Sequence, residues 1–139
     1  MQISPYLHFD GRCEAAFKFY EKSLNGKIVM MMPFSEMPGE ENAASGWSDK
    51  IVHARMIVQD QILMASDAPP ERYEKPQGFS ISLQIPQPDE AERVFHALAE
   101  NGSISMPIQP TFWSLRFGML VDQFGIPWMI NCEQPNPQA

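Results

Sequence analysis

Long hydrophobic runs are missing from this sequence of 139 residues. A membrane-spanning helix needs about 20 consecutive apolar residues, and no segment approaches that length. Residues 1–5, Met-Gln-Ile-Ser-Pro, also lack the charged segment and the apolar run of a secretory signal. We therefore expect a soluble, cytoplasmic protein with no membrane partner.

Basic residues are scarce as well. The 10 lysines and arginines stand against 17 acidic residues, and the formal net charge is -7. This charge repels phosphate backbones, and no basic cluster with interleaved aromatic residues offsets it. We therefore expect no nucleic-acid partner, which leaves a small molecule or another protein.

Cysteine is limited to Cys13 and Cys132, which do not have CxxC spacing. In a reducing compartment we expect two buried thiols that pack as small hydrophobic side chains. The sequence also lacks a GxSxG elbow, a glycine-rich phosphate or methyl-donor loop, and an HExxH helix. Covalent catalysis and nucleotide hydrolysis are therefore disfavoured.

The sequence does contain an internal repeat. A shift of 76 positions aligns residues 7–30 with residues 83–106 without a gap, and eight of 24 positions are identical. The identical pairs are Leu7/Leu83, Glu14/Glu90, Ala15/Ala91, Phe19/Phe95, Asn25/Asn101, Gly26/Gly102, Ile28/Ile104 and Met30/Met106. They fall at equivalent places in a predicted strand, helix, helix end and second strand, which indicates two copies of one supersecondary unit.

Each copy contains one predicted helix. Apolar residues recur every three or four positions over residues 12–24, and Asn25-Gly26 predicts a left-handed helix end. In the second copy Pro88 suits the first helical position, and Gly102 is expected to end the helix. The apolar stripe of each helix predicts one buried face.

Eight strands are predicted around the helices, at residues 4–9, 27–34, 51–59, 62–66, 79–85, 104–111, 115–121 and 127–132. The element order is βαβββ, twice. Because 139 residues suit a single hydrophobic core, we expect one domain of two modules. The modules are residues 3–67 and 77–134, followed by a flexible tail at 135–139, with a long loop at 35–49.

Alternation along the strands predicts which side chains face away from the helices. In the first and fifth strands they are Ser4, Tyr6, His8, Ser80, Ser82 and Gln84. The opposite positions are apolar and are expected to pack on the helices. The face away from the helices is therefore a partly polar concave surface, where a ligand pocket is expected.

Three groups of residues form recognisable motifs. They are residues 4–11 (SPYLHFDG) with 14–15 and 19–20, residues 52–54 with 64–67, and residues 111–113, 117–118, 122–125 and 127–131 (TFW, FG, DQFG and PWMIN). Together they resemble the PhnB-like branch of the vicinal oxygen chelate superfamily, to which glyoxalases and bleomycin-resistance proteins belong. The resemblance spans about residues 3–133, and its C-terminal motif is the most specific part.

The resemblance implies an α+β fold in which two βαβββ modules form curved mixed sheets around a cleft, the glyoxalase/bleomycin-resistance/dioxygenase fold. It also implies a homodimer, and a divalent metal held in the cleft by His, Gln or Glu. In this sequence the implied ligand positions fall on Ser4 or Pro5, Met64, Ser80 and Met129. None of these suits a hard or borderline metal, which needs imidazole or carboxylate groups. We therefore expect no cofactor.

A displaced metal site is the alternative, made of His8, His53 and Glu133 as a two-His-one-carboxylate set. Against this hypothesis, Glu133 ends the last strand, and two histidines on separate strands need not converge. The other interpretation of His53 is a core histidine with hydrogen-bonded ring nitrogens. His8 could instead be a polar or proton-transfer group in the cleft.

Several other residues are candidates for the cleft or the core. Trp47 and Trp113 could wall a pocket, and Trp113 could equally anchor a turn. Trp128 is expected in the core because it points opposite to Met129. Arg55 and Arg116 could clamp an anion, or each could pair with a local acidic residue. The full set of candidate cleft residues is Tyr6, His8, Trp47, His53, Arg55, Met64, Ser80, Ser82, Trp113 and Met129.

The leading hypothesis is a metal-independent small-molecule binding protein. One alternative is an enzyme, either a metal-dependent lyase, isomerase or dioxygenase with the displaced His and Glu site, or a metal-free enzyme using His8 as acid or base. A further alternative is a structural homodimer without a ligand. Whether the protein is an enzyme is left open by the sequence.

Overall fold

The computed structural model describes residues 1–38 and 46–134. The chain forms two compact units, Met1–Glu74 and Lys75–Ala139. The first contains β1 Tyr6–Phe9, α1 Cys13–Leu24, β2 Lys27–Pro33, β3 Ile51–Val58 and β4 Gln61–Asp67. The second contains β5 Ile81–Gln84, α2 Pro88–Ala99, β6 Ser103–Gln109, β7 Ser114–Val121 and β8 Pro127–Glu133. The predicted tail and residues 39–45 of the predicted loop lie outside the described residues.

Each unit is a four-stranded mixed sheet with one helix. The strand orders are β1-β4-β3-β2 and β5-β8-β7-β6. β1 pairs with β4 in parallel, β5 pairs with β8 in parallel, and the other neighbours are antiparallel. The sequence repeat is therefore a structural repeat, and the predicted α+β class with two βαβββ modules is confirmed. In the described residues, neither helix is long and apolar enough to cross a membrane.

Helix α1 covers one face of the first sheet. It contacts β2, β3 and β4. Its buried side chains are Cys13, Ala16, Phe17, Tyr20 and Ser23. Strand residues that are buried in the same unit follow the two-residue period and include Leu7, Phe9, Ala54, Met56, Leu63 and Ala65. These buried side chains form the core of the first unit. Full burial of each large apolar side chain contributes about 1.5–3 kcal/mol to the free energy of folding.

Helix α2 does the same for the second sheet. It begins at Pro88, as predicted, and buries Ala91, Val94, Phe95 and Leu98. Trp128 in β8 is 1% exposed, which confirms the expected core position. Its indole N–H donates to Asp122 Oδ2 at 2.8 Å, so the single polar group of this large side chain is satisfied.

The left-handed residues at the helix ends are Asn25 and Asn101, with φ of 54° and 59°, and each is followed by a glycine. The left-handed end predicted at Asn25-Gly26 is confirmed, whereas the second helix ends at Ala99, before Gly102. Asparagine tolerates this conformation because its short polar side chain can form local hydrogen bonds. Glycine is needed at position 26 for space, because a Cβ there would lie 2.8 Å from Met56 Sδ.

Several predicted strand boundaries are also corrected. The first strand begins at Tyr6 and the fifth at Ile81, so Ser4 and Ser80 precede these strands instead of lying within them. In the parallel register Ile81 pairs with Trp128, and Ser80 would stand opposite Pro127, which has no N–H to donate. The second strand ends at Pro33, and Phe34–Glu36 forms a 3₁₀ turn.

Candidate functional site

Polar and soft side chains line the face of the first sheet opposite α1, and six of them define what we call the first open face. They are Tyr6 and His8 in β1, Met64 and Ser66 in β4, and His53 and Arg55 in β3. Tyr6 pairs with Met64, His8 pairs with Ser66, and Arg55 pairs with Met64. Because the neighbours on either side of Tyr6 and His8 are buried under α1, alternation directs these two side chains away from the core.

Three rings meet on this face. The Tyr6 hydroxyl and His53 Nδ1 are 3.1 Å apart and share a hydrogen bond, with the donor set by the histidine tautomer. The rings of Tyr6 and His53 stack with centroids 5.8 Å apart, and the ring of His8 lies 5.2 Å from that of Tyr6. The structure thus brings together two histidines from separate strands, with tyrosine as the group that contacts both.

A cation lies beside the rings. Arg55 is exposed, and its Nη2 donates to Met64 Sδ at 3.9 Å, a weak contact because a thioether is a poor acceptor. The two predicted candidates Arg55 and Met64 are therefore neighbours on the first open face. Within the described part of the chain, this contact is the side-chain hydrogen bond that the Arg55 guanidinium makes.

A pocket of about 500 Å³ adjoins the first open face. His8 and Ser66 belong to both the face and the pocket wall. The other lining residues are Phe34, Val52, Asp67, Ala68, Pro69, Arg72 and Glu74. The pocket thus combines apolar walls with a hydroxyl, an imidazole and charged groups, which is the composition expected of a small-molecule site.

Asp67, one of the residues that line this pocket, was not identified from the sequence as a candidate. It is 3% exposed, and its Oδ1 accepts hydrogen bonds from the backbone N–H groups of Gly11 and Cys13 at 3.0 and 2.9 Å. Its Oδ2 accepts one from the Ile51 N–H at 2.9 Å. The carboxylate thus ties the start of α1 to the start of β3. A signal was present, because the alternation of buried Leu63 and Ala65 also places Asp67 on the buried side.

Both cysteines are free and buried, as predicted. Burial raises the pKa of the Cys13 thiol, and the negative charges of Asp67 and Glu14 raise it further. Burial also raises the pKa of Cys132, against the opposing effect of Arg116. Because the thiolate is the reactive form, neither residue is suited to act as a nucleophile.

The second sheet has a different open face. Gln84 Nε2 donates to Ser82 Oγ at 3.0 Å, and Asn131 Nδ2 donates to Gln84 Oε1 at 2.7 Å. Ser114 Oγ donates to Asn131 Oδ1 and extends this series of hydrogen bonds. Met129 is half-buried and pairs with Ser82 in the register that Met64 and Tyr6 have in the first unit. This face therefore carries a series of hydrogen-bonded hydroxyl and amide groups, with Glu133 at the end of β8.

The remaining candidates lie in separate places. Trp113 is 47% exposed and packs against Phe112 and Phe117 in the second unit. Trp47 is half-buried in the first unit, and its indole N–H has no hydrogen-bond partner among the described residues. Arg116 Nε donates to Glu92 Oε2 at 2.9 Å, which matches the interpretation of an arginine paired with a local acidic residue.

The implied metal positions do not fit a divalent ion. They present hydroxyl and thioether groups at Ser4, Met64, Ser80 and Met129, where hard and borderline metals need imidazole or carboxylate. Glu133, proposed for a displaced site, is an exposed residue of the second unit. Within either unit, the described residues contain no group of three His, Cys, Asp or Glu side chains that could hold a metal ion.

Two βαβββ units, each with one helix on a mixed four-stranded sheet, define the glyoxalase/bleomycin-resistance/dioxygenase fold of the vicinal oxygen chelate superfamily. The prediction of this fold is confirmed. The family described as 3-demethylubiquinone-9 3-methyltransferase matches residues 1–131, and the chain belongs to that family.

Three relatives illustrate the similarity. Protein YjdN from Escherichia coli strain K12 is 38% identical over 145 residues, covering 99% of each chain. Protein PA1353 from Pseudomonas aeruginosa is 50% identical, with a TM-score of 0.88 over 96% of this chain and 98% of the other. The PhnB protein from Bacillus cereus is 26% identical, with a TM-score of 0.80 over 95% and 99%. The resemblance to PhnB-like proteins is therefore confirmed.

Proposed function

We propose that this protein is a metal-independent binder of a small organic molecule, which contacts the first open face and enters the adjoining pocket. The observation that carries the proposal is the cluster of Tyr6, His53 and His8, joined by a 3.1 Å hydrogen bond next to a pocket of about 500 Å³. His8 belongs both to this cluster of rings and to the pocket wall. A ligand could therefore contact both at once.

The size and chemistry of the pocket support this proposal. Small-molecule sites commonly have volumes of about 300–1,000 Å³ and few polar groups on mostly apolar walls. Phe34, Val52 and Pro69 supply apolar wall, and Ser66 supplies a hydroxyl. Because the hydrogen bond to His53 holds the Tyr6 ring in place, less side-chain entropy is lost when a ligand packs on it.

The donor groups at the superfamily's metal positions support metal independence. Methyl transfer, the activity in the family's description, is not part of this proposal, because the sequence lacks a glycine-rich methyl-donor loop. The fold alone does not decide the chemistry, since one fold supports many functions. The proposal therefore rests on the side chains of the first open face.

We predict that untagged protein, purified without chelators, contains far less than one transition-metal ion per chain by plasma mass spectrometry. Compounds that bind are expected to raise the melting temperature of the wild type, by mass action. The shift should be lost in His53→Ala and Tyr6→Ala but kept in Phe112→Ala, which removes a 90% exposed ring from the second unit.

Near-stoichiometric Zn, Ni, Mn or Fe that disappears in both His8→Ala and His53→Ala would contradict metal independence. That outcome would instead support the displaced-site enzyme. If no compound shifts the melting temperature of the wild type, the structural protein without a ligand becomes the better hypothesis.

A metal-free enzyme is the second candidate, because Tyr6 and His53 lie at the separation needed for proton transfer. The pair could protonate or deprotonate a bound molecule, with His8 as a further acid or base. The test is to incubate each bound compound with the protein and follow it by NMR. Turnover that is lost in Tyr6→Phe and His53→Gln, with binding retained, would establish the enzyme and overturn simple binding.

We also propose a homodimer, in which the sheet edges are covered by a second copy. β2 and β6 are edge strands, and three of the seven residues of β2 and six of the seven residues of β6 are exposed. Open edges favour pairing with another chain. Light scattering after size exclusion is expected to give twice the chain mass of 15.8 kDa. A concentration-independent monomer would exclude the dimer.

A further inference from the structure

We infer that the first open face selects anionic aromatic ligands, with Arg55 as the residue that pairs with the ligand's carboxylate. The ligand class is a flat conjugated ring that carries one carboxylate. This inference rests on the proposed small-molecule binding function and deepens it. Its support is the position and charge of Arg55 relative to the rings and thioether of the same face.

Charge makes Arg55 a candidate partner for a carboxylate. In a chain with 17 acidic residues, the guanidinium groups of Arg12, Arg93 and Arg116 each pair with a carboxylate at 2.8–3.2 Å. Among the described residues Arg55 and Arg72 have no such ion pair, and of these two Arg55 lies on the first open face, where it makes the weak contact with the Met64 sulfur. An arginine fork suits a carboxylate in a bidentate arrangement. Arg55 therefore offers hydrogen-bond donors to a ligand's carboxylate.

The distance between Tyr6 and Arg55 suits a bicyclic ligand. Tyr6, Met64 and Arg55 form one cross-strand row, because Tyr6 pairs with Met64 and Arg55 pairs with Met64. Neighbouring strands lie about 4.8 Å apart, so the backbones that carry Tyr6 and Arg55 are about 10 Å apart. A bicyclic aromatic acid spans a similar length. Its rings could lie on Tyr6 and Met64 while its carboxylate reaches the guanidinium.

The surface along this row suits an aromatic ring. Tyr6 is 39% exposed and is held by its hydrogen bond to His53, and Met64 is half-buried beside it. Aromatic rings pack favourably on both tyrosine and a polarisable thioether. His8 and His53 add no negative charge at any pH. The pocket lining also includes an exposed carboxylate, Glu74, and an exposed cation, Arg72, which both lie in the segment after β4.

Three probes with the same ring test the inference: 2-naphthoate, 2-naphthalenemethanol and 2-naphthylmethylammonium. Isothermal titration calorimetry at low salt and pH 7.5 is expected to show naphthoate binding at least about ten-fold tighter than the alcohol, with the cation weakest. Arg55→Gln should weaken naphthoate about ten-fold and leave the alcohol within about two-fold. Arg93→Gln is the matched control, because it removes the same charge from a residue paired with Glu90 on α2.

The outcomes separate this inference from the proposed function. If the alcohol binds as tightly as naphthoate, or if Arg55→Gln and Arg93→Gln weaken naphthoate equally, the anionic ligand class is wrong. Binding at the face still stands in that case if Tyr6→Ala weakens all three probes. If none of the probes binds the wild type at millimolar concentration, the inference is overturned, and the compound screen then decides the proposed function. Thermal unfolding of each variant shows that it is folded.

Discussion

Replacement of Asp67 by asparagine is expected to lower the free energy of unfolding by about 2–4 kcal/mol. The two carboxylate oxygens accept three backbone hydrogen bonds, from Gly11, Cys13 and Ile51, in a site that is 3% exposed. Asparagine has the same shape but only one acceptor oxygen. Its NH₂ group must therefore face backbone N–H donors at one end, which leaves buried donors without partners.

Urea unfolding followed by circular dichroism measures this change. Asp60→Asn is the matched control, because Asp60 is exposed and its carboxylate accepts a hydrogen bond from the neighbouring Gln61. We expect the control to change stability by no more than about 0.5 kcal/mol. Equal stability of the two variants would show that Asp67 does not hold α1 to β3.

Replacement of Trp128 by alanine is expected to cost about 3–5 kcal/mol, the range for large aromatic residues in a core. Trp128 is 1% exposed, and its loss leaves a cavity beside α2 and removes the hydrogen bond to Asp122. Trp113→Ala is the matched control. Because Trp113 is 47% exposed, the same change there is expected to cost about 1 kcal/mol or less.

A third variant, Trp128→Phe, divides the effect into packing and hydrogen bonding. Phenylalanine keeps most of the ring but cannot donate to Asp122 Oδ2, so a loss of about 1–3 kcal/mol is expected. Chemical denaturation measures all three variants on one scale. If Trp128→Ala were no more destabilising than Trp113→Ala, the position of Trp128 in the core of the second unit would be wrong.

The two units share a core pattern but differ on their open faces. Tyr6 and His8 in β1 correspond to Ser82 and Gln84 in β5, each at the same register against the parallel strand. The first unit has rings and a cation at this face, whereas the second has hydroxyl and amide groups. The first unit is therefore the better candidate for recognition of a charged aromatic ligand, and the second is suited to neutral hydrogen-bonding groups.

The elements of the fold could be predicted from the sequence because they depend on local periodicity. A three-to-four residue apolar spacing predicts a helix and a two-residue spacing predicts a strand, and both patterns occur twice. The observed helices, Cys13–Leu24 and Pro88–Ala99, lie where this spacing predicts them. The same alternation predicted that Trp128 would be buried and that Tyr6 and His8 would face away from α1.

The contacts of the candidate site could not be predicted in this way. Tyr6 and His53 are 47 positions apart, and they meet because β4 lies between β1 and β3 in the sheet. The three backbone N–H groups that donate hydrogen bonds to Asp67 likewise come from two distant segments. Arg116 contacts Glu92 because α2 packs against β7.

The amino-acid sequence by itself therefore determined the order of the elements, the repeat and the buried faces, since each depends on residues a few positions apart. Strand order and register are set by packing between distant segments, and only the tertiary structure decided them. They bring Tyr6 to His53 and place Arg55 beside Met64 without a carboxylate partner among the described residues. The chemistry of the first open face arises from those long-range contacts.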